Sequence, residues 1–85
     1  MLKMLKCKLA GYEHMVRYLD SKIEVINDED EEQFECRVSI LTDQKRRYEI
    51  KEIGGCASRT ISRATDRVAR IMRVQSVLNM NVGSL

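Results

Sequence analysis

Aromatic side chains are scarce in this chain of 85 residues, which contains one phenylalanine, three tyrosines and no tryptophan. Proteins that bind single-stranded nucleic acid stack successive bases on aromatic side chains, so this composition argues against such a protein. The three cysteines are an odd number, which argues against a disulfide framework and favours a reducing, cytoplasmic setting. No apolar run approaches the roughly 20 residues of a membrane-spanning helix, so no membrane association is expected.

Motifs that carry enzymatic chemistry are also missing. The sequence has no glycine-rich phosphate loop, nucleophile elbow or paired-acid motif, so we expect neither an enzyme nor a small-molecule substrate. The soft metal ligands are Cys7, His14, Cys36 and Cys56. The gaps between them contain no Cys-x-x-Cys spacing, and we therefore expect no metal site and no cofactor.

Charge is strongly segregated along the chain, although the formal net charge is only +2. Residues 1–19 sum to +3, residues 20–35 to −7, residues 36–53 to +2 and residues 54–85 to +4. A chain divided in this way presents one acidic and one basic surface.

The acids concentrate between Asp28 and Glu32, a run that predicts a solvated loop over residues 27–33. This run lacks the central glycine and the spaced terminal glutamate of a calcium-binding loop. It is therefore a solubilising loop or a contact for a basic partner, including a second copy of the chain.

Apolar residues near the start of the chain recur at spacings of three and four. They are Leu2, Leu5, Leu9, Tyr12, Val16 and Leu19. This spacing predicts an amphipathic helix with Gly11 inside it, at a cost of about 1 kcal/mol relative to alanine. The alternative is a strand over residues 5–9 followed by a turn at Gly11.

The period then changes to two, which is typical of strands. Ile23 and Val25 alternate with charged residues, and Phe34 to Ile40 give the clearest strand pattern. Residues 42–45 predict a hairpin turn, and a third strand is expected from Tyr48 to the Gly54-Gly55 pair, which permits a sharp backbone turn.

The last helix is predicted from a cap at Ser58 or Thr60 to about Asn79, and residues 80–85 are expected to form a flexible tail. A single domain is therefore expected over residues 1–79. Its fold class is α+β, in the order αβββα, with a three-stranded antiparallel meander and both helices on one face.

Arginines occupy one side of this last helix. Arg59, Arg63, Arg67 and Arg70 fall within an arc of roughly 80°, opposite an apolar side that contains Ala64, Val68 and Met72. Guanidinium groups pair bidentately with phosphate or carboxylate. The stripe therefore predicts a phosphate-binding surface, which Lys45, Arg46 and Arg47 in the hairpin turn extend.

The predicted element order resembles that of double-stranded-RNA-binding domains. The resemblance extends to the junction Gly54-Gly55-Cys56-Ala57-Ser58-Arg59, where such domains have a glycine turn followed by serine and lysines. The last helix, through Ile61 and Asp66-Arg67-Val68-Ala69-Arg70, is also similar to that of ribosome-hibernation proteins. This resemblance implies a small domain that associates with structured RNA or the ribosome.

A second hypothesis follows from the end of the last helix. Val74 and Val77 lie on its arginine side, and with Met80 they make this end apolar on more than one face. Such a surface predicts a contact with a second chain. The alternative function is therefore a protein-interaction module, including a homodimer, that uses the apolar helix end and the segregated charges.

Overall fold

A computed structural model of the chain describes residues 3–28 and 31–83, except for the side chains of residues 27, 28 and 80–83. The elements in chain order are helix α1 (Lys3–Lys8), a 3₁₀ turn (Glu13–Met15), strands β1 (Val16–Asp28), β2 (Glu31–Thr42) and β3 (Arg47–Gly54), and helix α2 (Ala57–Gly83). The predicted α+β fold with the order αβββα is confirmed.

The sheet is an antiparallel meander in the order β1-β2-β3, as the strand pattern predicts. Its register places Val38 of β2 between Ser21 of β1 and Ile50 of β3. Because successive side chains point to opposite faces of a strand, Val38 faces the helices while Arg37 and Ser39 lie on the open face.

Both helices pack on the same face of this sheet. The buried core residues are Leu5 and Leu9 from the α1 segment, Cys36, Val38, Ile40 and Ile50 from the sheet, and Ala64, Val68 and Met72 from α2. Burial of a Leu, Val or Met side chain contributes roughly 1.5–3 kcal/mol each. The alternation from Phe34 to Ile40 predicts one buried side of β2, and Cys36, Val38 and Ile40 are buried there, while Phe34 and Tyr48 are only partly buried.

The first helix is much shorter than the apolar spacing predicts. It ends at Lys8, and Gly11 follows with a φ of +94°, a conformation that favours glycine. Val16 and Leu19 therefore belong to β1 and not to the helix. The prediction was wrong because spacings of three and four recur across a helix, a turn and a strand that happen to share one buried face.

The described residues of the acidic run, 28, 31 and 32, lie in the paired strands β1 and β2, so the prediction of a loop over residues 27–33 was wrong for the described part of that range. Asn27 pairs with Glu32, and Asp28 pairs with Glu31. Strand β3 ends opposite Phe34, so the hairpin beyond this point is a two-stranded ribbon. Antiparallel strands tolerate polar side chains where a face meets solvent, and the acids therefore do not prevent pairing.

Helix α2 begins at Ala57, which precedes both predicted caps. Ser58 and Thr60 lie inside its first turn, and the main-chain oxygen of Cys56 accepts hydrogen bonds from Thr60, at 3.0 Å from the amide and 2.8 Å from the hydroxyl. Thr60 is fully buried. These two bonds satisfy its polar groups inside the protein, so it stabilises the helix start without capping it.

The other end of α2 reaches Gly83, one turn beyond the predicted end at Asn79. Ser84 and Leu85, the remainder of the predicted tail, lie outside the described residues. With 27 residues the helix is about 40 Å long, whereas the eight residues of β3 span about 26 Å. The last turns of α2 therefore extend past the strand that it packs against.

Candidate nucleic-acid interface

The arginines of α2 are all exposed, but they do not share one environment. Arg63 and Arg67 turn toward β3, the edge strand that follows β2 in the sheet. Arg59, Arg70 and Arg73 have no ion pair and no side-chain hydrogen bond within the part of the chain that the structure describes. The predicted stripe is therefore divided into two arginines that contact the sheet and three that face solvent.

Arg63 contacts the end of β3. Its Nη2 atom donates a hydrogen bond to the main-chain oxygen of Ile53 at 2.8 Å, and its Nε lies 3.9 Å from the carboxylate of Glu52. Gly54 makes this approach possible, because a Cβ atom there would overlap Nη2 of Arg63 and lie 2.7 Å from Oγ1 of Thr60.

The Gly54-Gly55 pair was predicted to permit a sharp turn, but neither residue has a positive φ. A Cβ atom on Gly55 would contact nothing within 4 Å. The requirement for glycine at position 54 is therefore steric, since the arginine side chain crosses directly over it.

Arg67 repeats the contact one turn later. Its Nη1 atom lies 3.3 Å from the main-chain oxygen of Lys51 and 3.1 Å from Oε1 of Glu52. The helix rises about 6.0 Å over four residues, and a strand advances about 6.7 Å over two. Arginines four apart on α2 therefore match carbonyl groups two apart on β3.

These contacts give Arg63 and Arg67 a structural role. Main-chain carbonyl groups on an edge strand have no strand partner and invite pairing with other chains. The two guanidinium groups cover two of these carbonyls and share the carboxylate of Glu52. The sequence pattern could not reveal this, because the bonded residues are 10 and 16 positions apart in the chain.

The lysines of α1 were missed as part of the basic surface. Lys8 lies 3.8 Å from Asp66, which is the one acid of α2. This contact places the basic end of α1 beside the arginine side of α2. The +3 charge of residues 1–19 was the sequence feature that could have indicated these lysines. It does not show which surface they belong to, because that depends on how α1 packs against α2.

The helical layer is therefore strongly cationic. Helices α1 and α2 contain eight lysines and arginines against one acid, or +7, so the rest of the chain carries −5. All eight cationic side chains are exposed. They are Lys3, Lys6, Lys8, Arg59, Arg63, Arg67, Arg70 and Arg73.

The other predicted cations are Lys45 and Arg46 in the turn between β2 and β3 and Arg47 at the start of β3, and all three are exposed. The hydroxyl of Tyr48 accepts a hydrogen bond from the side-chain amide of Gln75. This bond puts the turn level with the last third of α2, so its cations lie near that end of the helix. Arg70 and Arg73 are the arginines closest to that level.

The same end of α2 exposes apolar surface. Val74, Val77 and Leu78 are 53%, 58% and 42% exposed, and with Arg70 and Arg73 they line an open groove of about 420 Å³. The predicted contact residues Val74 and Val77 are therefore at the surface. The side chain of Met80 lies outside the described residues, and Leu78 is an addition to the predicted set.

Other kinds of site are not formed by the described residues. No three His, Cys, Asp or Glu side chains among residues 3–28 and 31–83 lie close enough together to hold a metal ion. Cys36 is buried, Cys7 and Cys56 are exposed, and none of the three forms a disulfide. Within the same ranges, no helix has the length and apolar character needed to cross a membrane.

A comparison with profiles of known protein families found no match, and a comparison with curated proteins found no significantly similar sequence. The resemblance to double-stranded-RNA-binding domains therefore stays a prediction, carried by the element order and by the junction at Gly54-Gly55. The hairpin between β1 and β2 counts against that resemblance. Its tip is acidic at Asp28, Glu31 and Glu32, and such a tip would repel phosphate.

Proposed function

We propose that this protein is a non-catalytic module that binds structured RNA, free or within a ribosome, through its cationic helical layer. The +7 charge of α1 and α2, against −5 for the rest of the chain, supports the proposal most strongly. A polyanion bound by exposed lysines and arginines releases counterions, and this release drives association. The proposed setting is the cytoplasm, in keeping with three unpaired cysteines.

The division of the arginines defines which of them would bind phosphate. Arg59, Arg70 and Arg73 span about 21 Å along α2, with no described partner that phosphate would have to displace. Arg63 and Arg67 are about half-exposed and add positive potential, but their guanidinium groups also bond β3. The surface is extended at one end by Lys45, Arg46 and Arg47. Lys8 lies along its flank, next to Asp66.

The form of RNA follows from the side chains that are absent from this face. No Phe, Tyr or Trp lies among the residues of α1 or α2. Base stacking, which holds unpaired strands on a protein surface, therefore has no platform there. Double-stranded RNA is instead recognised through its backbone and shape, which a row of guanidinium and ammonium groups suits.

Salt-dependent binding tests this proposal. Fluorescence anisotropy should show binding to labelled duplex RNA that weakens steeply with salt. The slope of log affinity against log salt should fall by roughly one for each cation that no longer pairs with a phosphate, so Arg59→Gln with Arg70→Gln should reduce it by roughly two. Lys51→Gln, at an exposed lysine on the open face of the sheet, is the matched control and should leave the slope unchanged.

Two results would contradict RNA binding through this face. One is the absence of any salt-dependent association with duplex RNA at low salt. The other is an equal change of slope in Lys51→Gln and in the arginine variants, which would indicate a general charge effect. Stronger binding to single strands than to duplex RNA would retain the surface but overturn the proposed form of the ligand.

A second candidate function has its own observation, the exposed groove formed by Val74, Val77 and Leu78. Exposed apolar patches rimmed by polar side chains are typical of protein contacts. The candidate is a protein-interaction module in which this groove holds an apolar segment with acidic flanks, opposite Arg70 and Arg73. Val74→Ser with Val77→Ser should abolish such an interaction in a pull-down and leave the salt slope of RNA binding unchanged.

A further inference from the structure

The two layers of the fold extend past each other at opposite ends of the molecule. Strand β3 ends opposite Phe34, so β1 and β2 continue beyond it as a two-stranded ribbon. Helix α2 starts at Ala57 near this end and runs back over the sheet, where Gln75 bonds Tyr48. The eight residues that follow Gln75 add about 12 Å of helix beyond that level. The ribbon and the helix end are therefore the two ends of a molecule 56 Å long and 20 Å wide.

One face of the ribbon is apolar and acidic. Val25 of β1 lies directly opposite Phe34 of β2, and both are on the face of Cys36, which carries the helices. Val25 is 54% exposed and Phe34 is only partly buried, since α2 runs away from them. Glu32 follows Phe34 on the same face, Glu31 is its neighbour, and both are exposed. The ribbon therefore presents apolar surface with acids at its outer end.

The groove on α2 has the complementary composition. Its apolar residues are Val74, Val77 and Leu78, and Arg70 and Arg73 lie beside them. These five positions cover about 12 Å of helix axis, close to the roughly 10 Å that the ribbon projects over three residues beyond β3. Within the part of the chain that the structure describes, the two arginines and the two glutamates form no ion pair. Two surfaces of similar length and opposite charge therefore face solvent.

The ribbon and the groove of one chain lie too far apart to meet. The ribbon begins at the level of Phe34. Gln75 lies within the groove's stretch of α2 and bonds Tyr48, which pairs with Ile40. Six residues of β2 separate Phe34 from Ile40, or about 20 Å, and the ribbon projects away from the groove. Contact between the two surfaces therefore needs a second chain.

We propose that the ribbon of one copy docks in the α2 groove of a second copy of this chain. Val25 and Phe34 then cover the apolar residues of the groove, and the two glutamates of the ribbon face Arg70 and Arg73. Burial of the apolar residues drives the association, and the opposite charges set its orientation. The proposal rests on the second candidate function, the groove as a protein-contact surface, and names the partner.

The contact joins two different surfaces, so two copies can be arranged in two ways. They make the contact twice, reciprocally, or they leave one ribbon and one groove free for further copies. A mass that stops at two chains indicates the first arrangement and continued growth indicates the second, and both support the contact. Because Arg70 and Arg73 also belong to the proposed RNA surface, the association is measured without RNA.

Charge exchange between ribbon and groove tests the contact by light scattering over a wide concentration range. The mass of the unmodified chain should rise above the 9.9 kDa of one chain as concentration increases. The ribbon variant is Glu31→Arg with Glu32→Arg, and the groove variant is Arg70→Glu with Arg73→Glu. Each should need a roughly tenfold higher concentration to associate, because like charges then face each other. An equimolar mixture of the two should associate as the unmodified chain does, since each ribbon then meets a groove of opposite charge.

Matched controls separate this contact from a general charge effect. Glu49→Arg and Lys51→Glu make the same charge reversals at exposed residues on the open face of the sheet, and both should leave association unchanged. Val25→Thr keeps a β-branched side chain in the strand and changes no charge, but it removes apolar surface and should weaken association. Circular dichroism checks that each variant retains the fold, as expected for substitutions at exposed side chains.

The remaining outcomes overturn the proposal and separate it from the wider function of the groove. A chain that stays monomeric at every concentration excludes the self-contact, while the pull-down with Val74→Ser and Val77→Ser decides whether the groove holds another protein. Association that is lost in this valine variant but kept in the ribbon variant would retain the groove and exclude the ribbon as its occupant. A mixture that does not associate would show that the two sets of charges do not meet.

Discussion

The guanidinium of Arg63 donates a hydrogen bond to the main-chain oxygen of Ile53 at 2.8 Å, across a strand edge that has no partner strand among the described residues. Ten residues separate the two in sequence, and Gly54 removes the side chain that would stand between them. One arginine thus joins the end of the sheet to the start of α2. The same helix face that appears in sequence as a phosphate-binding stripe also closes one edge of the fold.

The first prediction concerns the two adjacent glycines. A methyl group at position 54 meets Nη2 of Arg63 and Oγ1 of Thr60. Gly54→Ala should therefore lower the free energy of unfolding by about 1 kcal/mol. This value is at the low end of the usual cost of overpacking, because the arginine side chain can move. Gly55→Ala meets nothing and should raise stability slightly. Urea denaturation of both variants measures the difference, and equal effects would contradict a steric role for Gly54.

The second prediction separates structural from solvent-facing arginines. Arg67→Met keeps most of the apolar stem but removes the bonds to Lys51 and Glu52, so it should cost about 1 kcal/mol, a value reduced because the pair is partly exposed. Arg70→Met removes the same charge with no described partner and should change stability little. Thermal unfolding at fixed pH and salt compares them, and equal destabilisation would argue against an edge-covering role.

The strand pattern was the part of the fold that sequence could predict well. Phe34 to Ile40 alternate because one face of β2 is buried and the other is open. This alternation is the same whichever residues of the neighbouring strands lie opposite β2. The first helix was predicted too long because Val16 and Leu19 share the buried side with Leu5 and Leu9 after an intervening turn. Period alone does not tell a continuous helix from a helix and a strand that face one core.

The candidate site was predictable only in part, because its members are assembled from distant segments. The spacing of Arg59, Arg63, Arg67 and Arg70 correctly indicates one helix face. It cannot indicate that two of them reach Ile53 and Lys51, since a helix projection contains no neighbouring strand. The lysines of α1 were missed for the same reason, as only packing brings Lys8 to Asp66.

The third prediction separates stability from binding at the hairpin turn. Lys45 has a φ of 65°, a left-handed conformation that suits glycine better than lysine. Lys45→Gly should therefore raise the free energy of unfolding by about 0.5 kcal/mol, after the entropy of the unfolded glycine is allowed for. If Lys45 contacts phosphate, the same variant should lower the salt slope of RNA binding by roughly one.

Lys45→Asn provides the control for this variant, because asparagine tolerates a left-handed conformation and also removes the charge. Both variants should lower the slope by the same amount while differing in stability. A variant that binds RNA as the unmodified chain does would show that Lys45 lies outside the contact surface.

The fourth prediction concerns the reactivity of the cysteines. A hydrogen bond with the Ser58 hydroxyl, 3.3 Å away, lowers the pKa of the exposed Cys56 thiol. Burial raises the pKa of the Cys36 thiol, and the nearby charge of Glu52 adds to this. Because the thiolate is the reactive form, alkylation of Cys56 should rise with pH through a midpoint below the ordinary thiol value of about 8.5.

Mass spectrometry of peptides labelled over a pH series measures this midpoint for each cysteine separately. Ser58→Ala should move the Cys56 midpoint upward, since it removes the hydroxyl that stabilises the thiolate. Cys36 should be labelled only as the protein unfolds, so its labelling should accelerate with urea while that of Cys56 changes little. Fast labelling of Cys36 under native conditions would contradict its place in the core between the sheet and α2.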